Sequence, residues 1–105
     1  MGRCGYLWQV VEGRPELEIG YLLGRKHWGR GLATEAATAL RDHAFREMKT
    51  DRVISLIQPA NERSRRVAER NGMRVSGETL HAGLPHLVYA ITFDEWRSLA
   101  AGREG

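Results

Sequence analysis

The chain lacks the features that mark secreted, membrane-spanning and zinc-binding proteins. Its single cysteine, Cys4, cannot form an internal disulfide and suits a reducing cytoplasm. No apolar run approaches the roughly 20 residues that a spanning helix needs, and the first residues do not form the apolar core of a signal peptide. The 4 histidines show no metal-ligand spacing with Cys4 or with one another. We therefore expect a cytoplasmic protein with no metal site and no membrane contact.

Signals for nucleic-acid binding are also missing. The net charge of +3 is mild, and the sequence contains no helix-turn-helix pattern, no paired stacking aromatics and no zinc knuckle. Repeats and low-complexity segments are absent as well. The 105 residues are 42% hydrophobic and 28% charged, which is typical of one globular domain spanning residues 1–105.

The periodicity of apolar residues predicts alternating strands and helices. Residues 5–11 and 16–23 alternate as strands around a turn cluster, and from Leu32 the period becomes helical, with a stripe of small and apolar residues up to Met48 and with Arg41 outside it. Trp8, in the first strand, is expected to pack in the core, and the alternative is that it lines a cleft. A short strand, a short helix capped by Asn61 and stopped by Gly72, two more strands and a last helix with a Thr92–Glu95 capping box follow. The expected order is strand, strand, helix, strand, helix, strand, strand, helix, in an α/β fold with a mixed sheet.

The most informative stretch is the loop that leads into the long helix, Trp28-Gly29-Arg30-Gly31-Leu32-Ala33-Thr34. Two glycines allow a tight turn, and the helix N-terminus behind them offers unpaired N–H groups and a partial positive charge. Such a loop suits a phosphate, although a purely structural turn would use the same residues. It is neither the dinucleotide pattern G-x-G-x-x-G nor a Walker A loop.

This loop resembles the acetyl-CoA loop of the GNAT acetyltransferases, with the pattern Q/R-x-x-G-x-G/A. Trp28 takes the first place, Gly31 the fourth and Ala33 the sixth. A second motif, Asn61-x-x-Ser64-x-x-Val67 with Asn71-Gly72-Met73, is similar to the second signature of the family, and together they resemble its RimJ/RimL-like branch. The resemblance implies a mainly antiparallel mixed sheet flanked by helices and acetyl-CoA as co-substrate. The cofactor-binding residues that it implies are Leu23, Trp28, Gly29, Arg30, Gly31, Leu32, Ala33, Thr34, Asn61 and Ser64.

The same resemblance suggests how catalysis would work. Many GNAT enzymes carry a tyrosine seven residues after the asparagine, where it protonates the departing thiolate, but that position is Ala68 here. Ser64, one turn earlier, is the candidate donor, and the alternative is that it only packs or contacts the cofactor. Glu18 is the candidate base for the attacking amine, and the alternative is an ordinary polar residue on the far face of a strand.

The chain is shorter than a complete GNAT domain and starts near what would be the third strand. We therefore expect the amino-terminal strand and helices of the family to be absent, which would leave an unpaired strand edge and favour a homo-oligomer. The expected reaction is acetyl transfer to a primary amine, which could be a protein N-terminus or a small molecule. Two alternatives stay open: a non-catalytic CoA-binding remnant and an oligomeric interaction module.

Overall fold

A computed structural model of the chain describes residues 3–22 and 30–104. The elements follow the predicted order: β1 (Arg3–Val11), β2 (Arg14–Leu22), α1 (Arg30–Arg46), β3 (Arg52–Ile57), α2 (Glu62–Arg70), β4 (Arg74–His81), β5 (Leu84–Thr92) and α3 (Phe93–Glu104). Strands β1 and β2 each start two residues earlier than predicted, and the pairing of each hairpin continues up to its turn. Arg14 pairs with Val11, and Leu84 pairs with His81.

The described strands form one five-stranded sheet in the order β1-β2-β3-β5-β4. The β1–β2, β3–β5 and β4–β5 pairs are antiparallel, and the β2–β3 pair is parallel. This confirms the expected α/β fold with a mixed, mainly antiparallel sheet. Because β2 and β3 are parallel, the chain between them needs a crossover, and α1 supplies it.

The main core lies between one face of the sheet and the helices. Alternate residues of β2, β3 and β5 point to this face and meet buried side chains of α1 and α2. The buried members are Leu17, Ile19, Ala44, Phe45, Val53, Ile57, Ala68, Met73, Tyr89 and Ile91. Tyr6 joins β1 to this layer, because its hydroxyl donates to the Leu40 carbonyl oxygen of α1.

The opposite face of the sheet carries a smaller apolar cluster. Val11, Ile54, Val88 and Ala90 are buried there, with Leu56 packed beside them. The turn between β1 and β2 reaches across this face, where the Thr79 hydroxyl donates to Glu12 Oε2 at 2.9 Å. Glu18 lies on the same face, since it aligns with Ile54 and alternates with Leu17 and Ile19.

Local signals at the helix ends were predicted correctly. Asn61 caps α2, with its Oδ1 accepting from the Ser64 N–H at 3.3 Å. Gly72 has φ +84, and Met73 N donates to the Ala68 carbonyl oxygen at 3.0 Å, as in a Schellman motif. Thr92 and Glu95 form the expected capping box at α3, with reciprocal backbone bonds of 2.9 and 3.2 Å.

Three predictions about packing were wrong. Met48 is not part of the buried stripe, because α1 ends at Arg46. Arg41, placed outside that stripe, is only 4% exposed, since its guanidinium finds oxygen partners in the interior. Trp8 is 67% exposed although core packing was expected, because it lies on β1 at the edge of the sheet.

Candidate functional site

The topology brings two helix N-termini together at the carboxyl ends of the central strands. α1 follows β2, α2 follows β3, and these two strands are parallel. Both helices pack on the same face of the sheet. Each helix follows the carboxyl end of its strand, so the two helices start on the same side of the molecule. In α/β sheets ligands bind outside the carboxyl ends of such strands.

The two parallel strands separate towards their carboxyl ends. Their ladder holds only two residue pairs, Leu17 with Val53 and Glu18 with Ile54, although both strands continue beyond them. Past the ladder, side chains bridge the gap. The Ser55 hydroxyl donates to the Ile19 carbonyl oxygen at 2.7 Å, and Leu56 N donates to Glu18 Oε2 at 3.1 Å. Beyond this ladder no further backbone pair joins β2 to β3 among the described residues, and we call this gap between the two strands, on the side of the helix N-termini, the crevice.

Part of the predicted phosphate loop lies outside the described residues, namely Leu23, Trp28 and Gly29. The rest forms the start of α1, so the backbone N–H groups of Arg30, Gly31, Leu32 and Ala33 belong to its first turn. These N–H groups have no acceptor one turn earlier in the helix, which suits them to bind an anion. One turn further on, Thr34 Oγ1 is buried and has no hydrogen-bond partner among the described residues. The donor set fits the diphosphate of a nucleotide cofactor.

The second group of predicted residues sits at the start of α2. Asn61 is exposed, and its Oδ1 is used in capping, which leaves the amide Nδ2 as a hydrogen-bond donor. Ser64 is 4% exposed and shares the inner face of α2 with Val67 and Ala68. Asn61 is therefore accessible from solvent. Ser64 can meet only a group that enters between α2 and the sheet.

Glu18, the candidate base, is 6% exposed and lies on the sheet face opposite the helices. Both carboxylate oxygens are engaged: Oε1 accepts from Gln9 Nε2 at 3.0 Å and Oε2 accepts from Leu56 N at 3.1 Å. The side chain is therefore more than an ordinary polar residue of a strand face, because it links β1, β2 and β3. A proton taken from an amine would therefore bind to a Glu18 oxygen that already accepts a hydrogen bond.

Sequence reasoning missed a buried polar contact between α1 and the end of α2. Asn71 is 0% exposed and bonds to Ala37 and Thr38 of α1 through its side-chain amide. Arg41, also on α1, donates through Nη1 to the Asn71 carbonyl oxygen at 2.8 Å. The motif Asn71-Gly72-Met73 was the available signal, but its spacing gives no indication of these partners on another helix.

Asp42 extends this contact to α3. It accepts from Trp96 Nε1 at 2.8 Å and from Arg41 Nη2 at 2.9 Å. Partial burial raises the pKa of Asp42, but hydrogen bonds from Trp96 and Arg41 and the charges of Arg41 and Arg46 lower it more, so the pKa lies below its ordinary value of 3.8. The ionised carboxylate therefore orients Arg41 towards the end of α2.

The arginines of α2 mostly face solvent. Arg63, Arg66 and Arg70 are exposed and form a basic face of the helix. Arg65 differs, since its Nε donates to the Tyr89 hydroxyl at 3.1 Å, and that hydroxyl donates to Glu69 Oε2 at 3.0 Å. This bond to Tyr89 raises the pKa of Arg65 above its ordinary value. The described helices include none long and apolar enough to cross a membrane. The described side chains also form no group of three or more potential metal ligands.

Comparison with known proteins agrees with this geometry. The model of the acetyltransferase (GNAT) domain family matches residues 1–74, and the chain therefore belongs to the GNAT acetyltransferase family. A solved acetyltransferase (GNAT family) from Bacillus anthracis superposes with a TM-score of 0.69 at 33% identity, covering 87% of this chain and 58% of that one. The predicted family is confirmed by both sequence and fold.

Two relatives from Bacillus subtilis (strain 168) show how much of the family this chain spans. "Uncharacterized protein YkkB" is 42% identical over 89 residues, which are 85% of this chain and 52% of YkkB. "Putative ribosomal N-acetyltransferase YdaF" is 33% identical over 85 residues, 75% of this chain and 46% of YdaF. The chain thus spans about half the length of these relatives.

Proposed function

We propose that this protein transfers the acetyl group of acetyl-CoA to a primary amine, as an enzyme of the RimJ/RimL-like branch. The observation that carries the proposal is the crevice between β2 and β3, with the N-termini of α1 and α2 at its mouth, in a chain of the GNAT family. Two helix N-termini at one edge supply the N–H donors that a phosphorylated cofactor needs. We further propose that residues 1–105 act as one domain, since one sheet carries all the described strands.

The cofactor would lie across both helix ends. In this proposal the N–H groups of residues 29–33 bind the pyrophosphate, and the exposed Asn61 amide bonds the pantetheine arm, whose amide groups both donate and accept. We call this set of N–H groups the cradle, and Trp28 and Thr34 would flank it. The backbone at Leu23, where β2 has just ended, would supply the N–H for the developing oxyanion. The protein's main contribution is the orientation of two bound substrates.

The transfer itself breaks one bond and forms another. The amine nitrogen attacks the acetyl carbon, the new C–N bond replaces the C–S bond, and the products are an amide and free CoA. The amine must lose a proton, which Glu18 or a water chain would accept. The sulfur gains a proton, and the Ser64 hydroxyl would donate a hydrogen bond to it as the thiolate leaves. Glu18 bonds to Leu56 of β3 beside the crevice, and Ser64 lies on the buried face of α2, which supports these two roles.

The proposed acceptor is an amine, either a protein N-terminus or a small molecule. The likeness to YdaF supports a ribosomal protein as one choice, at 33% identity. We propose that the protein works in the cytoplasm, as a homo-oligomer, without nucleic acid or membrane as partner. The exposed apolar side chains of edge strand β1 support self-association, since Leu7, Trp8 and Val10 are 53%, 67% and 76% exposed.

A screen of amine acceptors tests the reaction, with free-thiol release from acetyl-CoA as the readout. Turnover that depends on the acceptor is expected. Calorimetry tests the cradle: Gly31→Val should abolish acetyl-CoA binding, because a β-branched side chain obstructs the approach of the ligand to the backbone. The matched control is Gly77→Val on β4, where an added Cβ meets nothing within 4 Å. Tight binding by Gly31→Val would place the cradle elsewhere.

A second candidate function is a CoA-binding module without catalysis. Ser64 is 4% exposed and the oxygens of Glu18 are both engaged, and Ala68 stands where many relatives carry a tyrosine. This alternative predicts acetyl-CoA binding with no thiol release for any amine. The same pair of measurements therefore separates the two functions.

A further inference from the structure

One buried side chain ties the end of α2 to the middle of α1. Asn71, 0% exposed, donates through Nδ2 to the Ala37 carbonyl oxygen at 3.3 Å. Its Oδ1 accepts from the Thr38 hydroxyl at 3.2 Å. Its backbone carbonyl accepts from Arg41 Nη1 at 2.8 Å. All three partners belong to α1, so the C-cap residue of α2 contacts a full turn of the other helix.

A buried amide contact contributes less to stability than a well-packed apolar side chain at the same position would. A buried amide must have all its partners, whereas an apolar side chain of similar volume would pack without any. The amide instead selects one arrangement, because its donor and its acceptor each face a specific partner. A slide of α2 along α1 would leave these groups unpaired in the interior, at the full cost of desolvation. The contact therefore fixes the relative position of the two helices.

That relative position matters at the other ends of both helices. Asn61 precedes Asn71 by ten residues, which is about 15 Å of helix at 1.5 Å per residue. Arg30 precedes Ala37 by about two turns of α1. The first turn of α1 and the cap of α2 are the two halves of the proposed cofactor site. They lie on separate strand–helix units, and the parallel ladder that joins these units has only two residue pairs.

We propose that Asn71 is a positioning residue for cofactor binding: it sets the spacing between the N-terminus of α1 and the N-terminus of α2. The inference rests on the proposed function, because it assigns to Asn71 the geometry of that same site. Asn71 does not touch the cofactor. Its effect is transmitted through Thr38, Ala37 and Arg41 to the helix that carries the cradle.

The test compares affinity for coenzyme A with thermal stability in matched variants. Asn71→Asp keeps the size and shape but replaces the Nδ2 donor with an oxygen facing the Ala37 carbonyl, and Asn71→Leu removes both polar groups. The control is Val11→Ala, which opens a cavity at a buried position of β1, on the sheet face opposite the helices and outside the β2–β3 ladder. Calorimetry with coenzyme A and a melting curve are recorded for each protein.

We expect both Asn71 variants to raise the Kd for coenzyme A at least tenfold, and Val11→Ala to leave it within twofold at a comparable loss of Tm. Equal affinity of Asn71→Leu and Val11→Ala at matched Tm would overturn the inference. If the parent binds no coenzyme A, the proposed function fails and the inference with it. If the parent binds and the variants bind equally well, only the inference fails.

Thr38 provides a milder pair in case the Asn71 variants do not fold. Thr38→Val removes the hydroxyl that Asn71 Oδ1 accepts from and keeps the shape, and Thr38→Ser restores that hydroxyl. We expect Thr38→Val to weaken coenzyme A binding several-fold and Thr38→Ser to bind like the parent. Equal binding by these two variants would show that the contact does not set the site.

Discussion

Replacing Gly72 with alanine perturbs the junction of α2 and α3. Gly72 follows the cap of α2 and has φ +84. Residues other than glycine adopt this left-handed backbone conformation at a penalty of about 1–2 kcal/mol. A Cβ at this position would also lie 2.6 Å from Leu99 Cδ1 and 3.3 Å from Ile91 Cδ1. Gly13 provides the control, since it has φ +79 with nothing within 4 Å of an added Cβ.

The difference between the two variants isolates the steric effect. Leu99 is 40% exposed, so its side chain can turn outward, at about 0.5–1.5 kcal/mol for an unfavourable rotamer. Ile91 is 0% exposed and has little room to move. We therefore expect Gly72→Ala to lose about 1 kcal/mol more stability than Gly13→Ala.

Denaturant titration followed by circular dichroism measures both variants, and similar slopes would allow the midpoints to be compared. A further 1 kcal/mol corresponds to a drop of about 4–8 °C in Tm for a domain near this size. If Gly72→Ala were no less stable than Gly13→Ala, Leu99 of α3 would not cover the end of α2. If Gly13→Ala matched the parent, the penalty for positive φ would be misjudged.

Other expectations concern pH, catalysis and assembly. Because the folded pKa of Asp42 lies below its unfolded value, its contribution to stability is complete above about pH 5 and is lost as pH falls through the folded pKa; Asp42→Asn should flatten this acid-side loss in pH-dependent melting. Glu18→Gln can still accept from Leu56 N, and its NH₂ can donate to Gln9 once that amide turns its oxygen towards it, so the variant should fold like the parent, and kcat should fall roughly 10²–10⁴-fold if Glu18 is the base. An unchanged kcat would remove Glu18 from the mechanism. Sedimentation at micromolar concentration should show a homo-oligomer that Trp8→Ser weakens; a sharply melting monomer would contradict self-association through β1.

Features that depend on neighbouring residues in the sequence were predictable. The cap at Asn61, the positive φ of Gly72 and the capping box at Thr92 each follow from a few adjacent residues, and all three are present. The alternation of apolar residues likewise gave the strands and their order. These signals are local because turns and helix ends satisfy their own backbone groups.

Features that depend on distant partners were not predictable. Arg41 is buried because a carbonyl oxygen 30 positions later accepts from it, and no periodicity reveals that pairing. Trp8 was expected to pack in the core, but its exposure follows from the position of β1 at the sheet edge. Glu18 was the candidate base, with an ordinary polar strand residue as the alternative, and its hydrogen bonds to β1 and β3 follow from where β2 and β3 part. Of the candidate site, the sequence indicated the residues but not the contacts that position them.

The two-pair ladder between β2 and β3 also divides the sheet into a tightly paired β1–β2 hairpin and the remaining strands, with few backbone pairs between them. β1 and β2 pair along nine residues each, whereas only Leu17 and Glu18 pair with β3. The hairpin of β1 and β2 is thus attached to the remaining sheet mainly by side-chain packing and by the bonds of Glu18 and Ser55. Sub-global opening follows the boundary with the fewest cooperative contacts. A local opening along this short ladder would separate the two sides of the same crevice in which the proposed reaction takes place.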